Sequence, residues 1–195
     1  MTKIIGLTGG IGSGKTMVAN YIKSLGIPVY IADDEAKELM ANDKVVKAII
    51  TAFGKIVTDD NGIFNREKLA KLVFDNPEKL KKLNSIVHPL VKMHFDIWVE
   101  KHNNFPFVIK EAAILFESGN DKYCNTIITV TSDLETRLKR VIERDKTNRE
   151  SVLKRMTNQW AENQKIAKSD YVIQNISVEA TKRQVDEILK ILKYQ

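Results

Sequence analysis

The sequence predicts an α/β fold: a doubly wound, five-stranded parallel sheet with a helical insertion and an arginine-bearing lid. Three observations predict it. An apolar strand, Lys3 to Thr8, runs into a glycine-rich loop and then into an amphipathic helix. Four further strand-like runs follow, separated by helical patterns, which is the alternation of a parallel sheet. Roughly sixty residues between the second and third strands read as helix throughout, far more than a parallel crossover needs.

The first helix spans about 14–25, because Val18, Ile22 and Leu25 recur at i, i+4 and i+7 and give it one apolar face. Gly26 stops it, and Pro28 opens a second strand that runs to Ala32. Asp33 to Met40 reads as helix, and Val45, Val46, Ile49, Ile50 and Phe53 mark the next. Asp59-Asp60-Asn61-Gly62 is a turn. Asn65 caps a helix carrying Leu69, Leu72 and Val73, and Asn76-Pro77 places a cap before proline at the first helical position. A long stretch from Leu80 to Trp98 follows, with Pro89 expected to kink or break it.

Strand pattern returns at Phe105 to Ala113 and at Thr126 to Val130. Ser132-x-x-Glu135 reads as a capping box, opening a helix with Leu134, Leu138, Val141 and Ile142 on its apolar face. A polar helix or helical hairpin occupies about 148–167. Tyr171 to Ile173 is the last strand, and a helix from Ser177 carries Val185, Ile188, Leu189 and Leu192. The expected organisation is a core at 1–32, 105–139 and 168–195, a helical region at 33–104 and a lid at 140–167. A sheet of this kind binds ligands at the carboxyl ends of its strands.

Gly9 and Gly14-Lys15-Thr16 fit the phosphate-loop spacing G-x-x-x-x-G-K-[ST], between the strand and the helix that it requires. Glycines bring the backbone close to a ligand, successive N–H groups form an anion nest, and the helix adds its positive end. Lys15 supplies a cation for the outer phosphates, and the Thr16 hydroxyl can ligate Mg²⁺. The loop and first turn, Gly10, Ile11, Gly12, Ser13, Gly14, Lys15, Thr16 and Met17, are therefore the expected nucleotide-binding residues, and the ligand a nucleoside triphosphate.

Composition narrows the class. A chain of 195 residues with 43% hydrophobic residues, 9 Gly and 4 Pro buries a proper core. No apolar run has membrane-spanning length, and no signal-peptide layout precedes the first strand, so a soluble cytoplasmic protein without a membrane partner is expected. The sequence specifies no oligomeric state and a monomer satisfies it. Cys124 is alone, which excludes an internal disulfide. His88, His94 and His102 have spacings that do not suit a metal site. The net charge of +6 comes from lysines scattered among acidic neighbours, so no nucleic-acid partner is expected.

Other residues bear on what is done with the triphosphate. Asp33-Asp34 follows the second strand; a carboxylate there can accept a hydroxyl proton or cap the next helix. Arg137, Arg140 and Arg144 share a helix face, with Arg149 and Arg155 beyond, as suits a lid that neutralises a transferring phosphoryl group. The alternative is a solvated face paired with Glu135, Glu143 and Asp145. There is no Asn-Lys-x-Asp guanine signature and no apolar run ending in a clear acidic pair, which disfavours a guanine-nucleotide switch and a motor ATPase. A small phosphotransferase fits best; a kinase of another small acceptor and a non-catalytic nucleotide-binding module are the rivals.

Several motifs, in order, resemble the dephospho-coenzyme A kinase family along nearly the whole chain. They are Gly6-Leu7-Thr8-Gly9-Gly10-Ile11-Gly12-Ser13-Gly14-Lys15, Val29 to Asp33, Leu83-Asn84-Ser85-Ile86-Val87-His88-Pro89-Leu90 and Ile114-Leu115-Phe116-Glu117. Arg137 to Arg140, Arg144-Asp145, Arg155 and Gln159 match its lid pattern, and Ser169 to Asn175 the segment before its final helix. The resemblance implies ATP and dephospho-CoA as substrates, with Mg²⁺, and phosphorylation of the ribose 3′-hydroxyl. It also implies roles: Asp33 as base, Lys15 and Arg140 on the transferring phosphate with Arg144 nearby, and Thr16 on Mg²⁺. Lys37, His88, Leu115, Phe116 and Glu117 would border the acceptor. Three positions depart from the family pattern: Ile31 replaces the first Asp of Asp-Ala-Asp, Ala113 replaces proline, and Lys37 replaces a common Arg.

Overall fold

The structure, a computed structural model, describes residues 2–74 and 76–194. It divides into two compact units, one comprising the chain through residue 31 and from 101 onward, the other residues 32–100. None of the described helices is long and apolar enough to cross a membrane.

The first unit is built on β1 (Lys3–Thr8), β2 (Val29–Ile31), β3 (Phe107–Glu111), β4 (Thr126–Thr131) and β5 (Tyr171–Gln174). All pair in parallel, in the order β2-β3-β1-β4-β5. β1 is central: Lys3 to Leu7 register with Phe107 to Glu111 on one side, and Ile5 to Thr8 with Thr126 to Thr129 on the other. Every residue of β3 is buried, as both covered faces of a parallel sheet require. Helices α1 (Lys15–Ser24) and α9 (Val178–Tyr194) share one core with the sheet, through Ile5, Leu7, Val18, Ile22, Ile128 and Val185 among others.

Several strand ends differ from expectation by one or two residues; β3 stops at Glu111 and not Ala113, and β4 runs one residue further, to Thr131. β2 stops at Ile31 because Ala32 already opens a helix. β3 begins only after Pro106, which has no N–H to give a ladder. β5 gains Gln174, whose backbone N–H and C=O are both held by the Gln184 side chain at 2.9 Å.

The second unit contains α2 (Ala32–Leu39), α3 (Asp43–Phe53), α4 (Arg66–Phe74) and α5 (Pro77–Lys101). Val45, Ile49, Val57, Leu69, Val73, Leu83 and Val87 form its core. Asn65 and Asn76 cap as expected, each accepting a backbone N–H three residues on at 3.0 Å. The 59–62 turn is closed by Asp59 Oδ1, which accepts from Asn61 and Ile63, and a Thr58–Phe64 bridge that the sequence did not suggest flanks it. Pro89 does not break α5, which runs for 25 residues. The roughly 3 kcal/mol cost of an interior proline is offset by burial of Leu83, Val87 and Phe95 on either side of it.

Helices α6 (Leu134–Asp145), α7 (Arg149–Met156) and α8 (Glu162–Ala167) belong to the first unit. The cap of α6 is Asp133, which accepts from Thr136 N–H at 2.9 Å; the expected box at Ser132 does not form, because Glu135 turns to Arg149. The polar stretch at 148–167 is two helices, joined by residues 157–161.

Replacing Ile128, 1% exposed, by Ala should lower the unfolding free energy by about 3 kcal/mol in urea. The same change at Ile63, 64% exposed, should stay within about 0.5 kcal/mol.

Candidate phosphoryl-transfer site

The loop between β1 and α1 owes its path to glycines that no other residue could replace. At Gly14, φ is +95° and an added Cβ would lie 1.9 Å from Asn175 Nδ2. At Gly9 an added Cβ would lie 2.1 Å from the Val130 carbonyl oxygen. Two loop N–H groups are engaged within the protein: Ile11 donates to Gln159 Oε1 at 2.9 Å, and Ser13 donates to Gly10 O at 3.1 Å. Among the described residues, no intramolecular bond takes the N–H of Gly12, Gly14 or Thr16. Those three, at the positive end of α1, are the donors presented to an anion.

The carbonyls of the loop from Gly10 to Gly14 each have a donor. Ile11 O accepts from Arg137 Nε at 3.0 Å, and Ser13 O from Asn175 Nδ2 at 2.7 Å. Gly14 O accepts from the N–H groups of Met17 and Val18 at 3.0 and 3.2 Å. Arg140 Nη1 lies 3.4 Å from Gly12 O and 3.5 Å from Ser13 O, long bonds that a stronger acceptor can displace. The Ile11 side chain packs against Leu138, Val141 and Val152 of α6 and α7.

Lys15 is buried, with Nζ 3.9 Å from Glu111 Oε1. Glu111, itself buried, ends β3 at the edge where a ligand would lie. The sequence reading passed over it, although Phe107-Val108-Ile109 is an apolar run leading to an acid; the intervening Lys110 obscured the signal. Thr16 is exposed. Its hydroxyl and the Glu111 carboxylate are hard oxygen donors, the kind that suits Mg²⁺.

The arginines divide. Arg137 is buried against the loop and pairs with Glu162, and Arg140 reaches the loop carbonyls. Arg144 and Arg155 both bind Asp145, and their guanidiniums hold its carboxyl well below the usual range. Arg149 makes a two-pronged pair with Glu135, both bonds 2.7 Å. Arg144 and Arg149 therefore take up the solvated, paired arrangement, while the first two arginines of the set serve the loop.

The segment after β3 is held from several sides. Leu115 is fully buried against Gly6, and Phe116 stacks on Trp160 with ring centroids 5.6 Å apart. A ligand would meet this segment at its backbone and at Glu117. Glu117 Oε1 accepts from Lys165 Nζ and from Trp160 N–H, each at 2.8 Å, whereas Oε2 is buried without a partner. Lys165, with no exposed surface, also donates to Ala113 O at 2.8 Å. Lys165 and the anchoring role of Asn175 were missed in the sequence, since their partners lie 52 and 162 residues away along the chain.

In the second unit, Asp33 is exposed in the first turn of α2 and is not its cap, because the helix begins at Ala32. Lys37 Nζ sits 2.8 Å from Asp34 Oδ1, which raises the lysine's pKa. His88 lies on α5, its pKa lowered by desolvation of the ring.

The CoaE dephospho-CoA kinase family model matches residues 3–180. The chain belongs to the dephospho-CoA kinase family. The dephospho-CoA kinase of Fusobacterium nucleatum is 45% identical over 174 residues, covering 89% of this chain and 90% of that one. The crystal structure of TT1252 from Thermus thermophilus superposes with a TM-score of 0.86 at 32% identity, covering 97% of each chain. Shikimate kinase from Acinetobacter baumannii shares the fold alone, with a TM-score of 0.53 at 17% identity over 100% of this chain and 94% of that one. The sheet is thus that of a P-loop kinase.

Two expectations follow for this family member. Asn175→Ala leaves the Ser13 carbonyl only the long bond from Arg140 and should weaken binding of a non-hydrolysable ATP analogue about tenfold by calorimetry. Burial pushes the Cys124 thiol up to about 11, so about one in a thousand is ionised at pH 8. Labelling by a thiol reagent at that pH should be at least about a hundredfold slower in the native protein than in denaturant.

Proposed function

We propose that the protein transfers the γ-phosphate of ATP to the 3′-hydroxyl of the dephospho-CoA ribose, giving CoA and ADP, the final step of CoA biosynthesis, in the cytoplasm. The observation that carries this reading is the phosphate loop: three N–H groups presented at a helix end with Lys15 behind them, in a chain matched by the family model from 3 to 180.

ATP rests its outer phosphates on the N–H groups of Gly12, Gly14 and Thr16 and on Lys15, whose charge grows in value as the transferring group gains negative charge. Arg140 leaves its long bonds to the loop carbonyls for the γ-phosphate, a better acceptor. Asp33 orients the ribose hydroxyl and takes its proton during in-line attack. Lys37, His88 and the 115–117 segment border the acceptor, with Glu117 the one carboxylate among them. Thr16 and Glu111 would hold Mg²⁺, which when bound neutralises phosphate charge. Closure of the α6–α8 region excludes water, which would otherwise compete with the ribose as phosphoryl acceptor.

The test is ADP release coupled to dephospho-CoA, with the product's mass checked for one added phosphate. Lys15→Ala and Asp33→Ala should each cost at least about a hundredfold in turnover. Most activity surviving in Asp33→Ala would remove it as the base. ATP binding without acceptor-dependent ADP release would sink the acceptor assignment.

A further inference from the structure

The linker between α7 and α8 touches two functional segments with two consecutive residues. Gln159 Oε1 takes the Ile11 N–H of the phosphate loop. Trp160 donates its N–H to Glu117 Oε1 and lays its ring on Phe116, 7° from parallel. Lys165 closes the far side by binding the same Glu117 oxygen and the Ala113 carbonyl. The Lys168 ammonium stands 5.2 Å from the centre of the Trp160 ring.

Two features argue against a purely stabilising cluster. A fully buried lysine is costly to desolvate, and ion pairs of this kind often add little net stability over an apolar replacement. Moreover, a pair selected for stability would satisfy both carboxylate oxygens, yet Glu117 Oε2 is buried with no partner.

We propose that Gln159 and Lys165 are positioning residues that make the linker a strap, tying the setting of the phosphate loop at Ile11 to that of the 113–117 segment. Consecutive Cα atoms are about 3.8 Å apart across a rigid peptide, so a displacement of Gln159 reaches Trp160 with little slack. The other holds on Ile11, Arg137 on its carbonyl and Leu138, Val141 and Val152 on its side chain, come from the same α6–α7 region. Seating a triphosphate on the loop therefore sets the Phe116–Trp160–Glu117 group as well. The inference rests on the proposed function only in taking 115–117 as the acceptor border; the strap itself needs only nucleotide.

The experiment uses Trp160 as its own reporter. The chain has 2 tryptophans, so Trp98→Phe leaves Trp160 alone. Titration with Mg²⁺ and AMP-PNP should give a saturable change in Trp160 emission that tracks calorimetric binding. In Gln159→Met the change at saturation should fall at least about fivefold. A silent Trp160, or an undiminished change in Gln159→Met, would overturn the strap.

Kinetics give a second reading. Gln159→Met and Lys165→Met should each lower kcat about tenfold, with KM for ATP within about threefold. The double variant should be no more than about twofold slower than the slower single, because both cut one strap. Multiplying losses would mean two independent roles and overturn it. If Lys165→Met does not fold by circular dichroism, Glu117→Gln weakens the same end of the strap and replaces it in the cycle. A parent enzyme that ignores dephospho-CoA but keeps the Gln159-dependent emission change loses the acceptor reading and retains the strap. One that phosphorylates dephospho-CoA with a silent Trp160 does the reverse.

Discussion

A loop that turns its N–H groups toward a ligand must send its carbonyls the other way, because each peptide unit is planar. Those carbonyls then face the protein and need donors. Much of the first unit answers that need. Arg137 serves Ile11, Asn175 serves Ser13, the first turn of α1 serves Gly14, and Arg140 lies across Gly12 and Ser13. Asn175 is in turn oriented by Thr181 of α9, whose hydroxyl is 3.1 Å from Asn175 Oδ1. The binding face is thus stiffened from behind, by α6 on one side and the β5–α9 connection on the other.

The charged groups of this unit fall into two populations. On the surface, Arg144, Arg149 and Arg155 form exposed pairs with Asp145 and Glu135, of the kind that adds little to stability. Near the loop, Lys15 with Glu111, Arg137 with Glu162 and Lys165 with Glu117 are largely withdrawn from water. Each inner pair joins elements distant in sequence. Their desolvation cost is justified by geometry: a charged group held by two or three directional bonds settles in one orientation, whereas an apolar side chain of the same size has several.

Much of this was legible in the sequence, for a physical reason. The β1–loop–α1 unit is local, so its glycines, its Lys-Thr pair and its helical period lie within one short window. The five strands announced themselves as apolar runs, and the asparagine caps at 65 and 76 by their position before helical periods. What was hidden is long-range or contextual. Gln159 and Lys165 look like ordinary polar helix residues until folding brings Ile11, Ala113 and Glu117 to them. Glu111 was disguised by a neighbouring lysine. The break allowed for at Pro89 does not occur, because local propensity counts the lost hydrogen bond and not the apolar burial on both sides. At the start of α6 two good cap residues stand side by side, and Glu135, committed to Arg149, leaves the choice to Asp133.

The placement of β1 at the centre of the sheet has a consequence for biosynthesis. Lys3 is synthesised well before its partner on one side, Phe107, and β4 comes later still. At about 5–20 residues per second, the strand waits roughly 5–20 s with both edges bare. Residues 32–100 form a contiguous helical unit rich in local contacts, which form fast. During translation, that unit can be complete while the nascent first strand, Ile4-Ile5-Gly6-Leu7, is still seeking a neighbour. The central strand of the finished sheet is therefore exposed to aggregation on the way there, and is a segment that a ribosome-associated chaperone has reason to shelter.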